Sequence, residues 1–145
     1  MSQVCQPTPG QRVKQPYHIP VAIGLVGPDG KDMPLTLDGE EKPGAKTRVL
    51  HLTEREATWR FRNVKEKPVP SLLRGFSAPV KITTQPDDAE LVFRMAHDSD
   101  GFNKYEATER LMVKTLHKLI KQAENDLPLT LDQGFIEAYG ENVKN

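Results

Sequence analysis

The sequence predicts a mixed fold, with a partial antiparallel β-sandwich first and a short α-helical segment after it. Three observations carry this reading. Eleven of the twelve prolines lie at or before Pro86, and Pro128 is the other. Before that point apolar residues recur at every second position, and beyond it at every third or fourth. Turn signals built on Gly and Pro divide the first part into short pieces, as in an all-β unit.

His18 to Val26 reads as the first strand, because Ile19, Val21, Ile23 and Leu25 alternate on one face. Pro20 falls on the opposite face, which predicts an edge strand or a strand start. Gly27-Pro28-Asp29-Gly30 is a turn, since proline fixes φ and glycine permits φ > 0. Met33, Leu35 and Leu37 alternate again, so residues 18–37 predict a β-hairpin. Asp38 to Lys46 is a polar loop. Arg48, Leu50 and Leu52 share one face of the next strand. Thr58 to Val64 follows, with Trp59 and Phe61 on one face and Thr58, Arg60 and Arg62 on the other. One buried and one wet face mark an antiparallel sheet. Trp59 and Phe61 are expected in its core with Ile19, Val21, Ile23, Leu50 and Leu52. Pro68-Val69-Pro70 breaks the chain, and Ser71 to Phe76 and Pro79 to Thr84 read as two further extended segments.

Past Pro86 the period is helical. Asp87 with Glu90 three residues on makes a capping-box pattern, and Leu91, Val92, Met95 and Ala96 form an apolar stripe. Asp98-Ser99-Asp100-Gly101 is a break, with Asp100 placed to cap the next helix. Tyr105, Met112, Leu116, Leu119 and Ala123 predict one amphipathic helix over residues 102–124. Pro128 ends that region. Residues 132–143 predict a last helix, weakened by Gly134 and Gly140. The expected division is a β-sandwich over residues 1–84 and first helices of a helical domain over residues 85–145.

Composition narrows the function. Lys+Arg and Asp+Glu are both 20, and the net charge of zero gives no electrostatic case for nucleic acid or an anionic membrane. Cys5 is the single cysteine, so no intrachain disulfide can form and a reduced, cytoplasmic setting is expected. Cys5 stands next to Pro7, Pro9 and Gly10 near a chain end, a poor place for a catalytic thiol. No stretch approaches the ~18 apolar residues of a membrane span. Met1-Ser2-Gln3-Val4-Cys5 lacks the basic and apolar regions of a signal peptide. Ser2 to Gln6 reads instead as the tail of a strand, so the sandwich is expected to be truncated at its N-terminus.

Catalytic signatures are missing. The histidines are His18, His51, His97 and His117. None opens an H-E-x-x-H helix, and no two fall within five residues. No metal site is expected. No G-x-S-x-G, Walker or G-x-G-x-x-G pattern occurs, so no catalytic or cofactor-binding residue is assigned. Asp98-x-Asp100-Gly101 has the look of a calcium loop. Setting Gly101 at the sixth loop position, however, puts Ala96 first and Ala107 twelfth, where oxygen donors are needed. Arg60, Arg62, Lys65 and Lys67 interleave with Trp59, Phe61 and Val64. A solvated strand face gives that pattern, and an RNA-stacking surface is the alternative.

Leu72 to Val80 is the most unusual segment, apolar between two proline breaks with one arginine inside. It reads as extended chain leaving the sheet, or as a domain junction where the planar fork of Arg74 reaches a carboxylate or backbone carbonyls. The run Lys67-Pro68-Val69-Pro70-Ser71-Leu72-Leu73-Arg74-Gly75-Phe76-Ser77-Ala78-Pro79-Val80-Lys81 resembles a stretch of bacterial aminopeptidase N. Pro7-Thr8-Pro9-Gly10-Gln11 with Lys14-Gln15-Pro16-Tyr17-His18-Ile19-Pro20 resembles the same family upstream. Ala96-His97-Asp98-Ser99-Asp100 with Phe102-Asn103 and Tyr105-Glu106-Ala107 resembles it downstream. The three runs keep the family order, and the last 38 residues match only in helical character.

The resemblance implies a zinc-dependent metallo-aminopeptidase, of which this chain would be the small immunoglobulin-like β-sandwich and the first helices of the domain that follows. The family's H-E-x-x-H zinc motif and G-A-M-E-N motif are absent here, so none of its catalytic or zinc-binding residues carries over. Zinc belongs to the family's full-length members and no cofactor to this chain. The implied role is a non-catalytic segment between domains. Arg74, Phe76, Asp98, Asp100 and Phe102, which fall in the matched runs, are candidate inter-domain contacts. The implied partner is the remainder of a parent aminopeptidase, which alone would meet peptides. An isolated piece would expose Tyr105, Met112, Leu116 and Leu119 and self-associate. The alternative reading is a stand-alone immunoglobulin-like adaptor module.

Overall fold

A computed structural model describes residues 1–144. Among them five short strands precede three helices. β1 (Ile19–Val26) is the centre of a three-stranded antiparallel sheet, between β3 (Thr47–Leu52) and β5 (Val69–Leu72). A second, two-stranded sheet pairs β2 (Thr36–Leu37) with β4 (Phe61–Arg62). A 3-10 turn at Arg74–Phe76 leads out of β5. The helices are α1 (Asp88–His97), α2 (Gly101–Glu124) and α3 (Gln133–Lys144).

β1 is buried on both faces from Val21 to Val26, so it is not an edge strand. Pro20 is tolerated because it lies at the strand's start. β3 pairs along Ile19 to Gly24, whereas β5 pairs only from Ile23 onward. The N–H of Ala22 points away from β3 and meets the hydroxyl of Ser77. Pro20, two residues earlier, faces the same way, where no strand needs a donor.

The predicted hairpin is only half there. The turn closes, with Gly30 at φ 74° donating to the Gly27 carbonyl. The returning arm touches β1 through one bridge, Val26 to Asp32, and then leaves for the second sheet. The more distant segments β3 and β5 occupy most of both edges of β1. Pro68-Val69-Pro70 does not interrupt the sheet either, because Val69 and Pro70 open β5. The carbonyl of Leu72 points away from β1 to Asn103. Pro70 shares that orientation, so its missing N–H costs the ladder nothing.

Trp59 and Phe61 were expected in the core and are only half-buried. The strand read at 58–64 shrinks to Phe61–Arg62, and Trp59 lies outside it. Val21, Ile23, Leu50 and Leu52 are buried as expected, together with Leu25, Val26 and Leu35, and Val21 packs with Leu73 and Ala78 in a cluster flanked by Ile19, Val80 and Ile82. Residues 79–84 thus pack against the sheet without joining a strand.

Asp87 and Asp100 cap α1 and α2 as the sequence suggests, Glu90 pairs with Arg94 instead of closing a capping box, and Asp132 adds a cap to α3. Asp87 accepts from the Glu90 N–H at 2.8 Å, Asp100 from Asn103 at 3.0 Å and Asp132 from Phe135 at 3.0 Å. The buried stripe of α2 differs from the expected one. It is Asn103, Ala107 and Leu111, while Tyr105, Met112 and Leu116 are exposed. Asn103, Ala107 and Leu111 recur at every fourth residue, on the side turned to α1 and the sheet. Leu91 and Met95 of α1 meet Ala107, Leu111 and Ala138 there in a second apolar cluster.

Met95 is fully buried at the centre of that cluster. Met95→Ala is expected to lower stability by about 2–5 kcal/mol, against a smaller loss for Phe61→Ala, as read by urea unfolding.

Candidate functional site

The two apolar clusters are joined by a buried polar seam centred on Arg74. Leu73 and Gly75 both have left-handed backbone, at φ 53° and 61°, and Phe76 follows at φ 53°. For Leu and Phe that geometry costs on the order of 1–2 kcal/mol each. It turns the chain sharply after β5 and sends the Arg74 side chain back across β1. Gly24 lies under it. A Cβ there would stand 2.0 Å from Cζ of Arg74, so only glycine leaves room for the guanidinium.

Arg74 is buried, with 6% of its side chain exposed. Its planar fork donates to both Asp32 oxygens, Nη2 to Oδ1 at 2.6 Å and Nη1 to Oδ2 at 2.9 Å. Nε donates to Ser71 Oγ at 2.8 Å, and Nη1 also reaches Thr47 Oγ1 at 3.0 Å. Ser71 is saturated. It accepts from Arg74 and from Asn103 Nδ2, and it donates to Asp98 Oδ1 at 2.9 Å. Asn103 Nδ2 also donates to the Leu72 carbonyl at 3.0 Å. Asp98 lies 3.7 Å from Arg74 and accepts from the Asp100 N–H. Ser99 donates to Asp32 at 2.6 Å. The seam therefore ties β1, β3, β5 and the β1–β2 turn to the α1–α2 break and to the first turn of α2.

The two aspartates titrate in opposite directions. The hydrogen bonds from Arg74 hold the Asp32 carboxyl below the ordinary aspartate range, with burial opposing and Ser99 helping. Burial raises Asp98 above that range, although Asp100 N–H, Ser71 and Arg74 each favour its anion. Its Oδ2 has no hydrogen-bond partner. Burial also opposes the charge of Arg74, and Asp32 and the other carboxylates outweigh it.

All five residues singled out in the sequence lie along this seam. Asp100 Oδ2 accepts from the Gly75 N–H at 2.8 Å while Oδ1 caps α2. Phe76 and Phe102 meet edge-to-face at 5.6 Å between centroids, both about half exposed. Sequence reading missed Asp32, Ser71, Ser99, Asn103 and Gly24. A glycine inside an apolar strand was the available signal, since it marks close approach of another group. Among the described residues no group of three or more His, Cys, Asp or Glu is placed to hold a metal ion. The seam offers fixed geometry and no exposed nucleophile.

Residues 1–85 match the model described as "Domain of unknown function (DUF3458) Ig-like fold", and residues 88–145 match its C-terminal companion, described as ARM repeats. The chain is 36% identical to Escherichia coli aminopeptidase N over 139 residues, which is 96% of this chain and 16% of that protein. The chain belongs to the aminopeptidase N family. Aminopeptidase N of Haemophilus influenzae is 26% identical over 95% of this chain and 15% of its own length. That of Caulobacter vibrioides is 38% identical over 62% of this chain and 9% of its own. The chain thus spans about one sixth of the first of these relatives, and it matches their immunoglobulin-like and helical domains. Legionella pneumophila aminopeptidase A, solved with aspartic acid, shares the fold at a TM-score of 0.65 and 22% identity, over 88% of this chain and 13% of that one.

Removing Arg74 as Arg74→Met strands buried carboxylates, and a loss of about 3–5 kcal/mol in urea unfolding is expected. Gly24→Ala should cost about 1–3 kcal/mol through displacement of the same guanidinium.

The pH dependence has two limbs. Asp32 stabilises the fold above the ordinary aspartate pKa, and that contribution is lost as pH falls through its depressed folded value. Asp98 has the opposite sign, because the folded state keeps its proton where the unfolded state has lost it. Stability therefore falls as pH rises from the ordinary value through the raised one. Unfolding curves across that range should lose the first limb in Asp32→Asn and the second in Asp98→Asn.

Proposed function

We propose that this chain is a non-catalytic spacer within an aminopeptidase N-like zinc metallopeptidase that removes N-terminal residues from peptides. It comprises an immunoglobulin-like domain over residues 1–84 and the opening of a helical domain over residues 85–145. Arg74, Phe76, Asp98, Asp100 and Phe102 are its inter-domain contacts. The buried bidentate pair of Arg74 and Asp32, tied through Ser71 to Asp98 and Asn103, is the observation that carries this reading. A guanidinium fork fixes distance and angle together, whereas apolar packing alone tolerates sliding. The sheet and helices then move as one piece and fix the helical domain relative to whatever the sheet adjoins. Zinc and hydrolytic chemistry are supplied by the rest of the polypeptide, and the setting is cytoplasmic, in keeping with the lone Cys5. No helix among the described residues is long and apolar enough to cross a membrane.

The partner is the remainder of the same parent. Leu116, Ile120, Leu127, Leu129 and Leu131 are all more than half exposed and form the face it covers. The test uses the full parent polypeptide with Arg74→Met and Arg74→Lys, assayed on an alanyl-anilide and on longer peptides. Both variants should keep their zinc and lose turnover several-fold, Lys less than Met. Unchanged kinetics in both would overturn the spacer reading. The isolated chain should show no hydrolysis and should sediment above its 16.3 kDa monomer mass as concentration rises tenfold. A strict monomer without hydrolysis would favour a self-sufficient binding module instead.

A further inference from the structure

His18 and His51 are distant in sequence, and the antiparallel ladder brings them together. Pro20 pairs with His51, so His18 stands diagonally across from His51 on the same face of the sheet. Their nitrogens, His18 Nε2 and His51 Nδ1, are 2.8 Å apart, and the rings meet at 60° with centroids 4.9 Å apart. Both side chains are exposed. From this geometry we infer that His18 and His51 form a two-imidazole surface site for a divalent transition-metal ion, with Cu2+ preferred over Zn2+. This inference is independent of the spacer reading.

The backbone under the pair is fixed on both sides. The Gln3 amide donates to the Tyr17 carbonyl at 2.8 Å and accepts from the Tyr17 N–H at 2.8 Å. The same amide nitrogen reaches the carbonyl of Glu54 at 3.0 Å, just past β3. His18 therefore sits between a residue clamped at both backbone groups and the first rung of the β1–β3 ladder. The two donors are held close before any ion arrives, which lowers the ordering cost of binding.

The ion's own preferred geometry decides between metals. Two nitrogens bound cis at about 90°, with bonds of about 2.0 Å, stand about 2.8 Å apart, whereas a tetrahedral angle needs about 3.3 Å. The observed 2.8 Å is the hydrogen bond of the metal-free pair, and it already holds both nitrogens within reach of one cis square site of the kind Cu2+ and Ni2+ favour. Cu2+ also leads the divalent affinity order. In the free pair one ring donates a proton to the other. On binding, the donor ring moves that proton to its other nitrogen, so both lone pairs face the ion and no net proton is lost. Water completes the coordination, and acid weakens binding by occupying the lone pairs.

The test titrates the full chain with Cu2+ in a non-coordinating buffer, with electron paramagnetic resonance to count bound imidazole nitrogens. One ion per chain bearing two imidazoles is expected. His18→Ala and His51→Ala should each weaken binding at least tenfold, while His117→Ala leaves it unchanged. Zn2+ should bind more weakly than Cu2+. Far-UV circular dichroism checks that these surface variants keep the fold. Wild-type affinity in either alanine variant, or one imidazole per ion in the native chain, would overturn the site. Tighter binding of Zn2+ would overturn the geometric selection.

Discussion

A buried guanidinium has no water to fall back on, so every donor of Arg74 must find a protein acceptor in a fixed place. That demand organises the middle of this molecule. Asp32 makes the one bridge to Val26 at the end of β1 and turns its carboxylate to the fork, and the arm then leaves for the second sheet. Residue 24 has to be glycine, because the fork crosses directly above it. The chain after β5 has to adopt left-handed backbone at Leu73 and Phe76 to aim the side chain back over the sheet. Ser71 and Thr47 take up the remaining positions around the fork.

The two apolar clusters are small and separate. One lies under the sheet around Val21, Leu73 and Ala78, and the other lies among the helices around Met95. Apolar contact between them would be indifferent to small shifts, because dispersion and desolvation depend on area more than on direction. A polar seam is directional. Each hydrogen bond weakens steeply off axis, so the helices can dock on the sheet in only one orientation. Such a seam adds little net stability compared with an apolar equivalent, since desolvation offsets most of the Coulomb gain. Its contribution is orientation.

The electrostatics of the seam are not fully balanced. Asp32, Asp98 and Asp100 surround one guanidinium, and Asp98 keeps one oxygen without a partner. Asp32 takes the bidentate contact, and Asp98 is left with a 3.7 Å approach and two hydrogen bonds, from Ser71 and the Asp100 N–H. That asymmetry separates their pKa directions and makes Asp98 the weak point of an otherwise satisfied network. Asp100 avoids the same cost by working at the margin, where it caps α2 and holds the Gly75 N–H.

The sequence by itself determined the class of fold, the change from strand to helix past Pro86, the helix caps and the family. Those depend on local periodicity, on cap residues a few positions from their targets, and on contiguous motifs. Arg74, Phe76, Asp98, Asp100 and Phe102 could be singled out because they sit in such motifs. Tertiary structure alone decided which strands pair, which face of α2 is buried and which partners Arg74 finds. Trp59 and Phe61 alternate as core residues would, yet the second sheet leaves them half-buried. Asp32 and Arg74 are separated by 42 residues, as His18 and His51 are by 33. Nothing local in a chain encodes such meetings, because they follow from strand order and register, which are set by the combined burial of segments far apart.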